Sequence, residues 1–126
     1  MTSVHSSDDT RIFHKECVSL ANAGYEVYLV APGDDAKKQG VNIVGCGTCN
    51  SGRLKRMTIF SYKVYRRAVE LDCDIYHIHD PELLPYVKRL SKKGKKVIFD
   101  SHEDYTFEKD YIPQSFRKIV NSLYIK

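Results

Sequence analysis

The chain has 126 residues, of which 42% are hydrophobic and 29% charged, so it has the length of one domain that can bury its own core. No apolar run approaches the roughly 20 residues of a membrane-spanning helix, and the first ten residues are polar, so we expect neither a transmembrane span nor a signal peptide. The net charge is +4 and there are four cysteines. Without a secretion signal, we expect a cytoplasmic protein with reduced thiols.

Strands and helices are predicted to alternate along the chain. A short β-like run at residues 1–5 precedes a helix over residues 10–23, whose apolar side chains recur at helical spacing. Apolar runs predict further strands at residues 25–31, 41–44, 74–79 and 96–100, and a polar loop at residues 34–39. Helices are predicted at residues 53–71, 82–93 and in the tail, residues 105–126. This order predicts an α/β fold: a Rossmann-like three-layer α/β/α domain over residues 1–126, with a mainly parallel sheet of about five strands.

Polar side chains follow several of the predicted strands, at the sheet edge where α/β folds bind ligands. Residues alternate faces along a strand, so His77 and His79 point the same way. We expect His77 to pack in the core and His79, at the strand end, to face a ligand. Imidazole and carboxylate groups suit zinc or iron, so His79, Asp80 and His102 could form a metal site. Their spacing matches no compact ligand motif, however, and we assign no metal and no cofactor.

The loop before the first helix and the loops after two strands offer charged groups with two possible roles. Asp9 or Thr10 is a sufficient N-cap for the first helix, yet the same helix end, with Arg11, would also attract an anion. Glu82 and Glu103 favour helix N-termini by charge–dipole attraction, or they accept hydrogen bonds from the hydroxyl groups of a sugar-like substrate. The residues alone leave both alternatives open.

Two basic segments and a cysteine pair are further candidates for function. Residues 53–67 and 88–96 are rich in Lys and Arg, and could meet phosphates, anionic lipid headgroups or nucleic acid, or simply be solvated helix faces. Cys46 and Cys49 have the C-x-x-C spacing, but no second pair completes a zinc site and a loop follows, so we interpret them as turn residues. There is no G-x-G-x-x-G motif and no P-loop.

Five segments taken together resemble the N-terminal domain of retaining GT-B glycosyltransferases of the glycogen-synthase-like group 4. They cover nearly the whole chain, in the family's order: Thr2–His5, Asp9–Phe13, Ala23–Val27, Tyr76–Leu83 and Val97–Glu103. The resemblance implies two Rossmann-like domains that face a cleft. The N-terminal domain binds the acceptor, and the C-terminal domain binds the nucleotide-sugar donor and carries an E-x7-E motif. It also implies that no metal is required for transfer.

The resemblance assigns roles to individual residues. His102 would lie near the transferred sugar or the donor phosphates, as the catalytic candidate. The substrate-binding candidates from the first loop, the loop after residue 78 and the last loop are Asp9, Thr10, Arg11, His79, Asp80, Glu82 and Glu103. The family has a longer first strand, so we expect either that this strand pairs over a few residues here or that the natural chain began earlier.

The donor-binding domain has no counterpart in these residues, so we expect it to be absent and the chain alone to be inactive. The predicted function is the acceptor-binding half of a glycosyltransferase of cell-surface polysaccharide synthesis. Its partners would be a saccharide or lipid-linked acceptor, a nucleotide-sugar bound by the missing domain, and the inner face of a membrane, but no nucleic acid. A non-enzymatic remnant or interaction domain is the alternative. A receiver-like domain is disfavoured, because the third strand ends in Gly45-Cys46 rather than in an aspartate.

Overall fold

The computed structural model describes residues 1–100. Three predicted features therefore lie outside the described residues: the helix over residues 105–126, the catalytic candidate His102 and the substrate-binding candidate Glu103.

The first helix begins with a π-helical segment, Thr10–Cys17, and continues as α-helix Val18–Asn22. Asp9 caps it, because its Oδ1 atom accepts hydrogen bonds from the backbone N–H groups of Arg11 and Ile12, both at 2.9 Å. The predicted cap is therefore confirmed. Ile12 and Phe13 are fully buried, so the predicted apolar stripe faces the interior.

Three strands form the first sheet: β1 (Val27–Ala31), β2 (Ala36–Lys38) and β3 (Val41–Gly45). β1 and β3 are parallel, as predicted, and β2 is antiparallel to β3. The prediction of a loop over residues 34–39 is wrong at β2. Gln39 and Gly40 join β2 to β3 with φ angles of 50° and 79°. Two left-handed residues make the tight hairpin turn that matches strand twist, and this turn brings a fully exposed polar segment into the sheet.

The second sheet consists of two parallel strands, β4 (Ile75–Ile78) and β5 (Lys96–Phe99). The second helix precedes β4 and is formed by Gly52–Lys55, a π-helical segment Arg56–Phe60, and Ser61–Glu70. The third helix links β4 to β5 and is formed by a 3-10 segment, Pro81–Tyr86, and α-helix Val87–Lys92. The predicted crossover from β4 through the third helix to the parallel strand β5 is therefore present.

The first residues of the chain lie between the two sheets. The N–H of Thr2 donates to the carbonyl of Val30 in β1 at 2.9 Å, and the carbonyl of Met1 accepts from the N–H of His79 at 3.3 Å. In residues 1–100 the strands thus form sheets of three and two strands bridged by residues 1–3, rather than the single sheet of about five strands that we predicted.

Apolar side chains pack on both faces of these strands. Leu29 and Ala31 of β1 pack with the first helix, whereas Val30 points to the opposite side and packs with the second and third helices. Helices on both faces agree with the predicted α/β class. Within residues 1–100, no helix combines the length and the apolar character needed to cross a bilayer.

Candidate functional site

Two strands and one helix bring polar side chains to one edge of the molecule. β4 continues directly into His79 and Asp80, and β5 continues into Asp100. The backbone N–H of Asp100 donates to the carbonyl of Ile78 at 2.9 Å, so the two strand ends stay side by side. The start of the first helix lies beside them, since Arg11 contacts Asp100. This is the edge at which parallel α/β sheets bind ligands.

His77 and His79 share one face of β4, with ring centroids 4.5 Å apart, as the alternation of a strand predicts. Their exposure is the reverse of our expectation. The side chain of His79 is 3% exposed and that of His77 is 32% exposed. His79 follows the strand and lies between Glu16 of the first helix and Asp100, which cover it. His77 is therefore the more accessible imidazole of the pair.

Glu16 approaches both histidines, a contact that no sequence motif predicted. Its Oε2 atom lies 3.5 Å from Nε2 of His79 and 3.7 Å from Nδ1 of His77. A signal for it did exist in the sequence. Glu16 follows Ile12 by four residues and Phe13 by three, so it sits on the buried stripe of the first helix, where an acid is unusual.

Arg11 binds the carboxylate that ends β5. Its Nη2 atom lies 2.9 Å from Oδ1 and 2.7 Å from Oδ2 of Asp100, and its Nε atom lies 3.5 Å from Oε1 of Glu16. Asp100 also faces His79, with Oδ2 at 3.9 Å from Nδ1. The guanidinium thus links the first helix to β5 and balances two acids, while its side chain remains 48% exposed.

Asp80 is buried and holds the N-terminal loop. Its Oδ2 atom accepts hydrogen bonds from Oγ1 of Thr2 and the backbone N–H of Ser3, both at 2.6 Å. Its Oδ1 atom lies 3.4 Å from Nε2 of His5, whose Nδ1 is in turn 3.4 Å from Oδ2 of Asp9. The imidazole of His5 therefore connects Asp9 and Asp80. The carboxylate of Asp80 already has protein partners at both oxygens.

The remaining predicted site residues lie in different surroundings. Glu82 is buried, and its Oε1 accepts a hydrogen bond from Nε of Arg56 at 3.1 Å, which joins the third helix to the second. Thr10 is exposed at the start of the first helix. Asp9, Arg11, His79 and Asp80 thus share one connected region through these contacts, whereas Glu82 pairs with the second helix.

The four cysteines are free thiols. Burial raises the pKa of the Cys46 thiol, and the same cause raises the pKa of Cys17, next to Glu16. A raised pKa disfavours the thiolate, which is the nucleophilic form. Burial therefore leaves the C-x-x-C pair without an activated thiol at Cys46.

Comparison with known protein families identifies a match over most of the chain. The model of the family described as Glycosyltransferase Family 4 matches residues 10–126 of this chain, which is nearly all of it. No curated protein gives a significant match. No solved structure gives one either.

Proposed function

The chain belongs to glycosyltransferase family 4, and from that premise we propose that it forms the acceptor-binding half of a retaining GT-B enzyme. The enzyme would transfer a sugar from a nucleotide-sugar donor to a saccharide or lipid-linked acceptor in cell-surface polysaccharide synthesis. One observation supports the proposal most: Arg11, His79 and Asp100 meet at the carboxyl ends of β4 and β5, where folds of this class bind ligands.

The accessible groups at this edge have the chemistry that such a substrate needs. Arg11 is exposed beside the first helix N-terminus, and both carry positive charge suited to a phosphate of the donor or of a lipid-linked acceptor. Thr10, exposed at the start of the helix, can exchange hydrogen bonds with sugar hydroxyl groups, and the partly exposed carboxylate of Asp9 can accept a further hydrogen bond beside those of the cap. Asp80 and Glu82 would act by shaping the acceptor-side wall, since protein groups already bind their carboxylates.

The catalytic role falls to His102 in this proposal. It follows β5 by three residues, so the chain leaves the same edge as Asp100 just before it. Glu103 would bind substrate beside it. The donor would be held by a second domain on the other side of the cleft, and these 126 residues would supply one wall.

The division of labour between the two domains can be tested by calorimetry and by a transfer assay. We expect the 126-residue chain to show no binding of UDP-glucose or GDP-mannose tighter than millimolar. Incorporation of labelled sugar into lipid or saccharide should require a co-expressed donor-binding domain of the family. Arg11→Ala should then lower transfer at least about tenfold, as expected for a lost charge-assisted contact to phosphate. Arg89→Ala, on the exposed face of the third helix, is the matched control. Micromolar donor binding by the chain alone would contradict the assignment.

Peripheral contact with the inner face of a membrane is a second part of the proposal. On the second helix, Leu54 is 77% and Ile59 is 68% exposed. The basic side chains around them are Arg53, Lys55, Lys63 and Arg66. Exposed apolar groups within a basic segment suit an anionic lipid surface.

Sedimentation with vesicles tests this surface. We expect binding to vesicles that contain phosphatidylglycerol, weaker binding at high salt, and loss of binding in the double variant Leu54→Ser, Ile59→Ser. Tyr25→Ser removes another exposed large hydrophobic side chain, in the segment before β1, and should leave binding unchanged. Equal binding to neutral phosphatidylcholine vesicles would argue against an anionic surface as the partner.

A further inference from the structure

We propose that Glu16, His77 and His79, with Asp100 as a fourth ligand, bind a divalent transition-metal ion such as Zn²⁺. One ligand atom from each of these four residues lies within 4.8 Å of the others. Two imidazoles with carboxylates form a donor set that suits zinc and neighbouring first-row metals. The inference is independent of the proposed sugar transfer, for which the family resemblance implies no metal.

The spacing of the donor atoms fits a small ion. In a tetrahedral site with metal–ligand distances of about 2.1 Å, donor atoms lie about 3.4 Å apart. Oε2 of Glu16 lies 3.5 Å from Nε2 of His79 and 3.7 Å from Nδ1 of His77. These two distances are close to that spacing, and all four ligand atoms lie within 4.8 Å of one another, so side-chain adjustments of about 1 Å would bring them onto one ion. The carboxylate of Asp100 is the nearest group to complete the set.

The backbone holds most of these ligands in place before any ion arrives. His77 and His79 alternate along and just beyond β4, so they project from one face. Glu16 comes from the first helix, whose neighbouring residues Ile12 and Phe13 are fixed in the core. The side chain of His79 is almost fully buried, so water competes poorly for it. A site with rigid ligands loses little conformational entropy when it binds.

Arg11 is the group that competes with a metal ion. Its guanidinium already neutralises Asp100 at 2.7 Å and lies 3.5 Å from Glu16. Since its side chain is long and half exposed, it can turn toward solvent and leave the carboxylates to an ion. Two cations next to the same acids repel each other. Removing the charge of Arg11 should therefore strengthen metal binding, which a merely structural role for these acids does not predict.

The cysteines are the alternative ligands that an experiment must separate. Cys46 packs with Phe60 and Val64 beneath the second helix, and Cys49 contacts the same cluster. The four proposed ligands belong to the first helix, β4 and the residues just after β4 and β5. Cobalt(II) distinguishes the two, because thiolate ligands add a charge-transfer band in the near ultraviolet, whereas imidazole and carboxylate ligands do not.

The test is a titration of the reduced 126-residue chain with Co²⁺, followed by displacement with Zn²⁺. We expect one ion per chain, visible absorption of four- or five-coordinate cobalt, no thiolate band, and a melting temperature that rises with Zn²⁺ concentration. His77→Ala and Glu16→Gln should each weaken affinity at least tenfold, and Arg11→Gln should tighten it several-fold. His14→Ala, an exposed histidine on the same helix, is the matched control and should change nothing.

Three outcomes would overturn the proposal. They are a thiolate band in the cobalt complex, unchanged affinity in both ligand variants, or no binding at millimolar Zn²⁺. Circular dichroism of each variant shows whether it folds. Glu16→Gln keeps the shape of the side chain, and His77 is partly exposed, so we expect both variants to keep their core. A change in their metal affinity then reports on the ligands.

Discussion

Replacing Asp80 with alanine should destabilise the domain strongly, although the residue carries a charge at a ligand-binding edge. The carboxylate is 2% exposed and accepts two hydrogen bonds of 2.6 Å, from the hydroxyl of Thr2 and the N–H of Ser3. Both donors are themselves buried. Asp80→Ala would leave two buried donors without their acceptor, which is more costly than the loss of a solvated contact.

The magnitude follows from the type of contact. Hydrogen bonds to a charged group contribute about 1.5–3 kcal/mol each, so two of them give about 3–6 kcal/mol. Residues 1–5 can relax toward water in the variant, which places our expectation at the lower end, about 3 kcal/mol. With a urea m value of about 1.5 kcal/mol/M, a loss of about 3 kcal/mol lowers the urea concentration at half unfolding by about 2 M.

Urea unfolding followed by circular dichroism measures the change. Asp74→Ala is the control, because this acid lies in the same segment of chain but is exposed, and should change stability by less than about 0.5 kcal/mol. Asp80→Asn keeps one acceptor oxygen and should fall between the two. If Asp80→Ala and Asp74→Ala unfold at the same midpoint, Asp80 does not hold the N-terminal loop, and the reasoning from burial fails.

Three further predictions concern other parts of the molecule. Gly45→Ala should cost about 2–3 kcal/mol of unfolding free energy, because a Cβ there would lie 2.3 Å from a backbone carbonyl oxygen; a stability within 0.5 kcal/mol of wild type would contradict this. Burial raises the pKa of the Cys17 thiol, so iodoacetamide at pH 7.5 should label it about tenfold more slowly than the partly buried Cys49, with the difference lost in urea. In a double-mutant cycle, Glu82→Gln and Arg56→Met should couple by about 1 kcal/mol, since Arg56 is partly solvated. A coupling near zero would mean that the ion pair contributes nothing measurable.

The regular elements were predictable wherever an apolar pattern repeats. The segment before Pro32, the segment around Ile43 and the two strands β4 and β5 all carry β-branched or aromatic residues, and each is a strand. β2 lacked this signal, because its Ala-Lys-Lys side chains are all exposed. Its pairing depends on backbone hydrogen bonds and on the turn at Gln39 and Gly40, so only Gly40 hinted at it.

The site was less predictable, because its contacts join distant parts of the chain. Alternation correctly placed His77 and His79 on one face, but alternation says nothing about what covers that face. Glu16 covers His79 in space, although it precedes His79 by 63 positions in the sequence (79 − 16). Likewise, Asp80 ends a strand at the ligand-binding edge, yet its neighbours Thr2 and Ser3 turn it inward. The motif positions therefore predicted where the site lies, at the ends of β4 and β5. Which of its side chains remain accessible depends on packing against distant residues.

Because residues 1–3 lie between β1 and β4, they affect the order of folding. These residues hydrogen-bond to Val30 on one side and to His79 and Asp80 on the other, so their full set of contacts spans almost the whole described chain. Closing so long a loop is slow compared with forming the first helix or the hairpin of β2 and β3. Residues 1–3 would therefore be among the last residues to reach their final partners, and the two sheets would become one cooperative unit only at that step.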